Sequence, residues 1–459
     1  MAGMLETVHQ SPAARLVVLF VAWKTLLTVL AAFCPGPGYD TSALILSHPG
    51  PHRHVEFQSW LRIDRLTISL FRWDSLYFVK AAQRSYVHEQ EWAFSWVYSG
   101  MVRTLVKYVC GNDYVSLKQC IWAGIAISYT CHLISVLVLF RFFTILLGRE
   151  QNGRVPFIAS VLHIMSPASL FLCSPCAEAV FSAANFTGML HYALARTSGK
   201  GGIRTVRQDA YMVSSGVLFA SATLVRSNGL LSGLIYLYDV VASLPCIFTL
   251  QLDRQELRRI FFTCVAGCLV AIGFVGPQYL AYEEYCATTS SESKSRPWCE
   301  KTIPSIYTWV QNHYWNVGFL RYWTLSNLPL FLIAAPMLWL LLQSGVTFLR
   351  NPPERQSAKP NVPQKTVGAD SEDNDRSSCN LPQLALPQIV LALAAMTSFH
   401  VQVINRLSSG YPIWYIALAN WVVSRRDGTG KVESQWAIRG IVMYALVQGM
   451  LFANFLPPA

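Results

Sequence analysis

Arg72, Trp73, Asp74 and Ser75 stand together ahead of an apolar-periodic run of Leu76, Phe78, Val79 and Ala82. A second polar set, His88, Glu89, Glu91 and Trp92, follows shortly after it. A carboxylate at the mouth of an amphipathic helix, flanked by an arginine and indole rings, can take a proton from a polar substrate. The same position suits a helix N-cap, which is the commoner role for an aspartate there. Four further stretches have the same mixture of polar and aromatic types. They are Ser174-Pro175-Cys176-Ala177-Glu178, Arg226-Ser227-Asn228-Gly229, the run from Val310 to Trp323 and the run from His400 to Arg406. The third contains Gln311, Tyr314, Trp315, Asn316 and Arg321, and the fourth His400, Gln402 and Arg406.

The elements that must position these residues are membrane helices. The chain has 459 residues, of which 53% are hydrophobic and only 13% charged. Soluble domains hold about a quarter charged residues, and several apolar runs here approach the ~20 residues that cross a bilayer as helix. The reading is an all-α polytopic membrane protein with about 11 transmembrane helices. Crossings are expected near 15–34, 118–140, 155–173, 177–195, 210–225, 229–250, 260–282, 327–347, 384–403, 411–423 and 436–455. The first run is too long for a signal-peptide core and contains Lys24, so it is read as a retained helix. The net charge of +11 comes from basic residues clustered between apolar runs, not from a basic stripe on a soluble domain, which excludes nucleic acid.

Those basic clusters orient the chain. Arg141, Arg149 and Arg154, then Arg196 to Arg207, then Arg254 to Arg259, then Arg425 to Lys431 all fall on one side if the crossings alternate, and that side is cytosolic. The chain then divides into a cytosolic N-terminus with the first helix (1–34) and a large first luminal loop (35–117). Transmembrane helices with a luminal loop at 283–326 make up 118–349, and a Pro-rich linker at 350–383 reads as disordered and cytosolic. C-terminal helices complete the chain (384–459). Asp373-Asn374-Asp375 has the pattern of a metal-binding Asp-x-Asp motif, but its place in that linker argues against the role. No His/Cys/Asp spacing elsewhere matches a metal site.

With this orientation the polar stretches share the luminal face, and ionisable residues at membrane depth usually face a cavity. Each also has a plainer role. Glu178 could cap the helix it opens, Arg226 and Arg406 could snorkel to the interface, and the tryptophans could form an aromatic belt. His313 and His400 are more often structural than ligating, and Lys24 is given no role. Cys286 and Cys299 lie in one luminal loop, where an oxidising compartment allows a disulfide. The Asn185-Phe186-Thr187 sequon falls inside an expected crossing, where no glycan is expected.

Taken as an ordered set, these motifs resemble the PIG-V family of glycosylphosphatidylinositol (GPI) mannosyltransferases, in its fungal form. The motifs are Arg72-Trp73-Asp74-Ser75, Glu89-Gln90-Glu91-Trp92-Ala93-Phe94, Ser166-Pro167 with Pro175 and Glu178, and Arg226-Ser227-Asn228-Gly229. Pro297-Trp298-Cys299, Val310-Gln311 through Gly318 and His400-Val401-Gln402-Val403 complete the set. The chain departs from many relatives at Ser95-Trp96-Val97, and the 350–383 linker has no counterpart. The resemblance implies a GT-C glycosyltransferase of the endoplasmic reticulum membrane. Such an enzyme moves mannose from dolichyl-phosphate mannose to a mannosylated glucosaminyl-acyl-phosphatidylinositol acceptor in α-1,6 linkage, inverting the anomeric carbon, without a cofactor. It implies Asp74 as base, with Glu89 and Glu178 assisting. It leaves Arg72, Trp73, Glu91, Trp92, Arg226, Asn228, Gln311, Tyr314, Trp315, Asn316, Arg321, His400, Gln402 and Arg406 as substrate contacts. Membrane lipid and a small membrane-protein subunit are the implied partners.

Two rivals remain at this level. One is a GT-C mannosyltransferase with the same donor and another acceptor. The other is a lipid or solute transporter using Asp74 and Glu178 as proton-coupled carboxylates, although the long first luminal loop with its acid is seldom needed in a transporter. The orientation is directly testable. Protease added outside sealed microsomes is expected to cut within 350–383, and protection of that segment would overturn the assignment of sides.

Overall fold

The computed structural model describes residues 11–34, 42–43, 63–111, 115–148, 153–196, 204–249, 253–287, 296–351, 381–424 and 431–456. Nearly all of the 350–383 linker, with Asp373 and Asp375, and the 44–62 part of the first loop lie outside these residues. Among the described residues all regular structure is helical. The chain runs through α1 (Pro12–Phe33), α2 (Ile63–Leu70), α3 (Ser75–Arg84), α4 (Trp96–Cys110) and α5 (Leu117–Leu147). Next come α6 (Arg154–Ile164), α7 (Glu178–Arg196), α8 (Val206–Val225), α9 (Gly233–Phe248) and α10 (Arg254–Tyr282). The last are α11 (Ile306–Trp315), α12 (Leu328–Arg350), α13 (Leu386–Thr397), α14 (Ile413–Ser424) and α15 (Lys431–Ala453).

Helix starts follow local chemistry. Ser116 with Gln119 and Thr205 with Gln208 form reciprocal capping boxes at α5 and α8, satisfying amides the helix cannot. Six helices among the described residues are long and apolar enough to cross a membrane. They are Pro12–Phe33, Leu117–Leu147, Ser227–Phe248, Arg254–Ala287, Leu325–Arg350 and Ser434–Ala453.

The other expected crossings differ from a simple span. The 155–173 stretch is two pieces, α6 and a short turn at Ser169–Leu172. Pro167 disfavours helical backbone at Ser166, and Ser169 takes φ 44. Likewise 384–403 divides into α13 and a turn at Val401–Val403. α7 and α8 are interior helices. Their buried faces hold Ser182, Asn185 and Ser215, which apolar patterning alone does not announce.

α7 packs on α5 and α8, and α8 on α10. The α8–α10 contact depends on missing side chains. A Cβ at Gly216 would stand 2.7 Å from Ala266 Cα, and one at Gly273 2.8 Å from Ala220 O. Small residues let membrane helices approach this closely. Asn185 donates to Gly410 O at 2.8 Å and accepts from Ser232 Oγ at 2.7 Å, tying α7 to two of the breaks. Fully buried, it leaves no room for a glycan. Lys24, on α1, donates to Leu172 O at 2.7 Å and holds the Ser169–Leu172 turn.

Beyond α10, residues 283–287 and 296–305 form a small module. The Cys286–Cys299 disulfide, with Cα atoms 5.7 Å apart, closes it. Buried Trp298 packs there with Ala281, Ile306 and Val310.

Candidate active site

The site grows from the breaks between helices. Glu178 opens α7, Arg226 closes α8, and Arg406 sits in a single helical turn between α13 and α14. Glu178 Oε1 accepts from Arg226 Nη1 at 2.6 Å and pairs with Arg406 Nε at 3.1 Å. Arg406 Nη1 reaches on to Asp74 Oδ2 at 2.8 Å. Its guanidinium also lies 4.4 Å from the Phe171 ring centroid. Burial works against the charge on Arg406, but the carboxylates of Asp74 and Glu178 outweigh it, so its pKa is raised above the ordinary arginine value.

Asp74 occupies the N-cap position of α3 yet makes no capping hydrogen bond. Its backbone is already helical, at φ −55 and ψ −27, which is not the extended backbone of a side-chain cap. Trp73 just before it takes φ 53, a left-handed conformation unusual for a bulky residue. The ring of Phe455 packs on this corner from the other end of the chain, 5.0 Å from Trp73 and 4.9 Å from the Arg72 guanidinium. The side chain that could have capped is turned to Arg406. The cap reading therefore fails.

Asp74 lines a cavity of about 610 Å³ together with Phe94, Arg226, Asn228, Gln311, Trp315, His400 and Arg406. The two carboxylates differ in access: the Asp74 side chain is 27% exposed and that of Glu178 1%. Only Asp74 can meet a ligand. Glu178 Oε2 is buried without a hydrogen-bond partner. On the far wall, Ser227 donates to Tyr307 OH at 2.6 Å and Asn228 to Tyr411 OH at 2.9 Å. His400 contacts the backbone carbonyl of Trp315 at 3.0 Å, tying the end of α11 to the turn that follows α13.

The remaining expected residues lie outside the lining. Glu89 pairs with Arg296 at 2.7 Å and accepts from Trp298 Nε1 at 3.1 Å. Glu91 pairs with Arg84 at 2.6 Å and accepts from the amides of Val87 and His88. Both are spent on shaping the 86–94 segment. Trp92 packs in the disulfide module, and Gln402 accepts from Tyr322 OH at 3.0 Å. Arg72 is buried beneath the motif, while Tyr314 and Arg321 point outward. Asn316 takes φ 51 and ends α11. Tyr307, not singled out in the sequence, does line the cavity. Its signal was available, because Tyr307, Gln311 and Trp315 recur every fourth residue on one helix face. Among the described residues, no three of His, Cys, Asp and Glu come together as a metal-holding group.

Comparison with known proteins places the whole chain. The model of the family described as Mannosyltransferase (PIG-V) matches residues 13–459. GPI mannosyltransferase 2 of Chaetomium globosum is 40% identical, over 98% of this chain and 97% of its own. That of Aspergillus oryzae is 38% identical, over 98% and 96%. Among solved structures, the archaeal oligosaccharyltransferase AglB from Archaeoglobus fulgidus aligns with a TM-score of 0.43 and 12% identity, over 95% of this chain and 56% of that one.

The buried carboxylate has a measurable consequence. Glu178→Leu leaves Arg226 and Arg406 charged and underpaired, and breaking such a buried pair costs on the order of 3–5 kcal/mol. Unfolding in detergent is expected to show that loss, and a loss under about 1 kcal/mol, the scale of an exposed pair, would contradict it.

Proposed function

The chain belongs to the PIG-V mannosyltransferase family, and on that premise we propose that its cavity transfers mannose from dolichyl-phosphate mannose to a GPI-anchor precursor. The acceptor is the precursor's first mannose, the bond formed is α-1,6, and the reaction takes place at the luminal face of the endoplasmic reticulum membrane. The observation that supports this reading most is Asp74 itself. It is an aspartate at a helix start, released from capping, facing a cavity that also presents Arg226 and Arg406.

In the proposed reaction Asp74 takes the proton from the acceptor hydroxyl as its oxygen attacks the anomeric carbon. The bond from that carbon to the phosphate oxygen breaks, and dolichyl phosphate leaves with the electron pair. Attack opposite the leaving group converts a β-linked donor into an α-linked product. A positioned base contributes typically 10²–10⁴-fold. Arg406 pairs with the Asp74 carboxylate and fixes its direction, and Arg226, on the cavity wall, is the cation placed for the departing phosphate. Trp315 and Phe94, 5.7 Å apart edge to face, offer rings to a sugar.

The test uses purified protein with labelled dolichyl-phosphate mannose and the monomannosyl precursor. The expected lipid product has gained one hexose that an α-mannosidase removes. Transfer to a different dolichol-pathway acceptor, with none to this precursor, would replace the proposal.

A further inference from the structure

The segment from Asn316 to Leu325 is a thin strap with two different sides. Val317 and Gly318 line the cavity, while the next residue, Phe319, is 75% exposed. Trp323 and Leu325 are exposed as well, Leu325 at 91%. Rings and aliphatic chains this open on a folded surface mark a contact with something apolar.

What that is follows from the next helix. Leu325 begins the apolar Leu325–Arg350 span, and the exposed face runs on without interruption through Leu328, Leu332 and Trp339. Those residues recur at helical spacing on one side, the side that meets lipid. The strap is irregular, and irregular backbone survives at a membrane boundary only if its polar groups are satisfied. Here they are. Gly318 N donates to Ser398 O at 3.0 Å, Leu320 N to Thr397 O at 2.6 Å, and the Trp323 indole to Met396 O at 2.7 Å. Arg321 folds its stem against Gly318, where an added Cβ would stand 2.8 Å from Arg321 Cδ. It has no carboxylate partner among the described residues, so its guanidinium is available at the headgroup level.

We propose that the strap lies in the leaflet on the site side of the membrane and is the side wall past which the hydrocarbon chain of the donor leaves the cavity. Phe319 and Leu325 are its lipid anchors, and Arg321 contacts phosphate at the leaflet surface. This rests on the proposed function in one respect, that the donor is a sugar phosphate on a long isoprenoid. A sugar held near Asp74 brings its phosphate and chain along with it. The one-residue boundary between cavity and lipid at Gly318–Phe319 is where such a chain can pass without crossing water.

The experiment compares the wild type with Phe319→Asp and with Leu325→Asp in phosphatidylcholine vesicles. Each is assayed with full-length dolichyl-phosphate mannose and with a short, water-soluble isoprenyl-phosphate mannose. The variants are expected to raise KM for the long donor on the order of tenfold, the loss of one apolar contact, with kcat and the short donor unchanged. Equal loss with both donors, or no loss with either, overturns the proposal. A photocrosslinking phenylalanine analogue at position 319 gives a second readout independent of activity. It should couple to vesicle phospholipid, and failure to couple overturns the membrane placement. Wild-type protein that transfers mannose from neither donor would instead remove the functional reading, with the crosslink still deciding where the strap lies.

Discussion

One carboxylate oxygen, Glu178 Oε1, is shared by two arginines in a part of the protein where charge is expensive. An uncompensated ion in such surroundings costs several kcal/mol, so the three side chains must arrive together or not at all. They come from three separate breaks in the bundle: the start of α7, the end of α8 and the turn before α14. That requirement fixes the helices around it. Lys24 anchors the turn that includes Phe171, Asn185 ties α7 to Gly410 and Ser232, and the glycines of α8 and α10 let those helices close. Arg406 then has one direction left, and it meets Asp74 there. The cavity-facing carboxylate of Asp74 is thus placed by a buried one that lies outside the lining.

The backbone shows where this arrangement is paid for. Among the described residues Trp73, Ser85, Ser169, Asn316, Leu320 and Phe455 have positive φ without being glycine, a strain of order 1–3 kcal/mol each that persists only where surroundings over-determine it. Two of them border the cavity lining in sequence, Trp73 next to Asp74 and Asn316 between Trp315 and Val317. Trp73 and Phe455 turn toward each other, and their contact sets the backbone that presents Asp74. Asn316 and Leu320 bend the strap so that Gly318 faces in and Phe319 faces out.

Much of this was legible in the sequence, and what was not has a physical reason. Charge starvation and apolar length identified a helical membrane protein, and four of the five polar stretches line one cavity, with Asp74, Arg226, Gln311, Trp315, His400 and Arg406, while the fifth joins them through Glu178. Hydropathy could not show that 155–173 and 384–403 break, because a buried turn and a span have the same composition. Nor could it separate the acids by role. Glu89 and Glu91 have the residue type and neighbourhood of Asp74, yet each faces its own arginine, Arg296 or Arg84, and residue type does not say which way a side chain points. Capping is likewise a matter of backbone angle, so Asp74 reads as a cap until the helical φ and ψ are seen.

The proposed reaction stands on Asp74 as the proton acceptor. Substituting Asp74→Asn isolates that role from capping, because Asn keeps a side-chain oxygen and caps about as well as Asp but cannot accept the proton. Thermal unfolding and single-turnover mannose transfer should be measured on the same preparation. The expected result is an unfolding temperature close to that of the wild type and a transfer rate lower by about 10²–10⁴-fold. A folded Asp74→Asn protein that transfers mannose at most of the wild-type rate would contradict it.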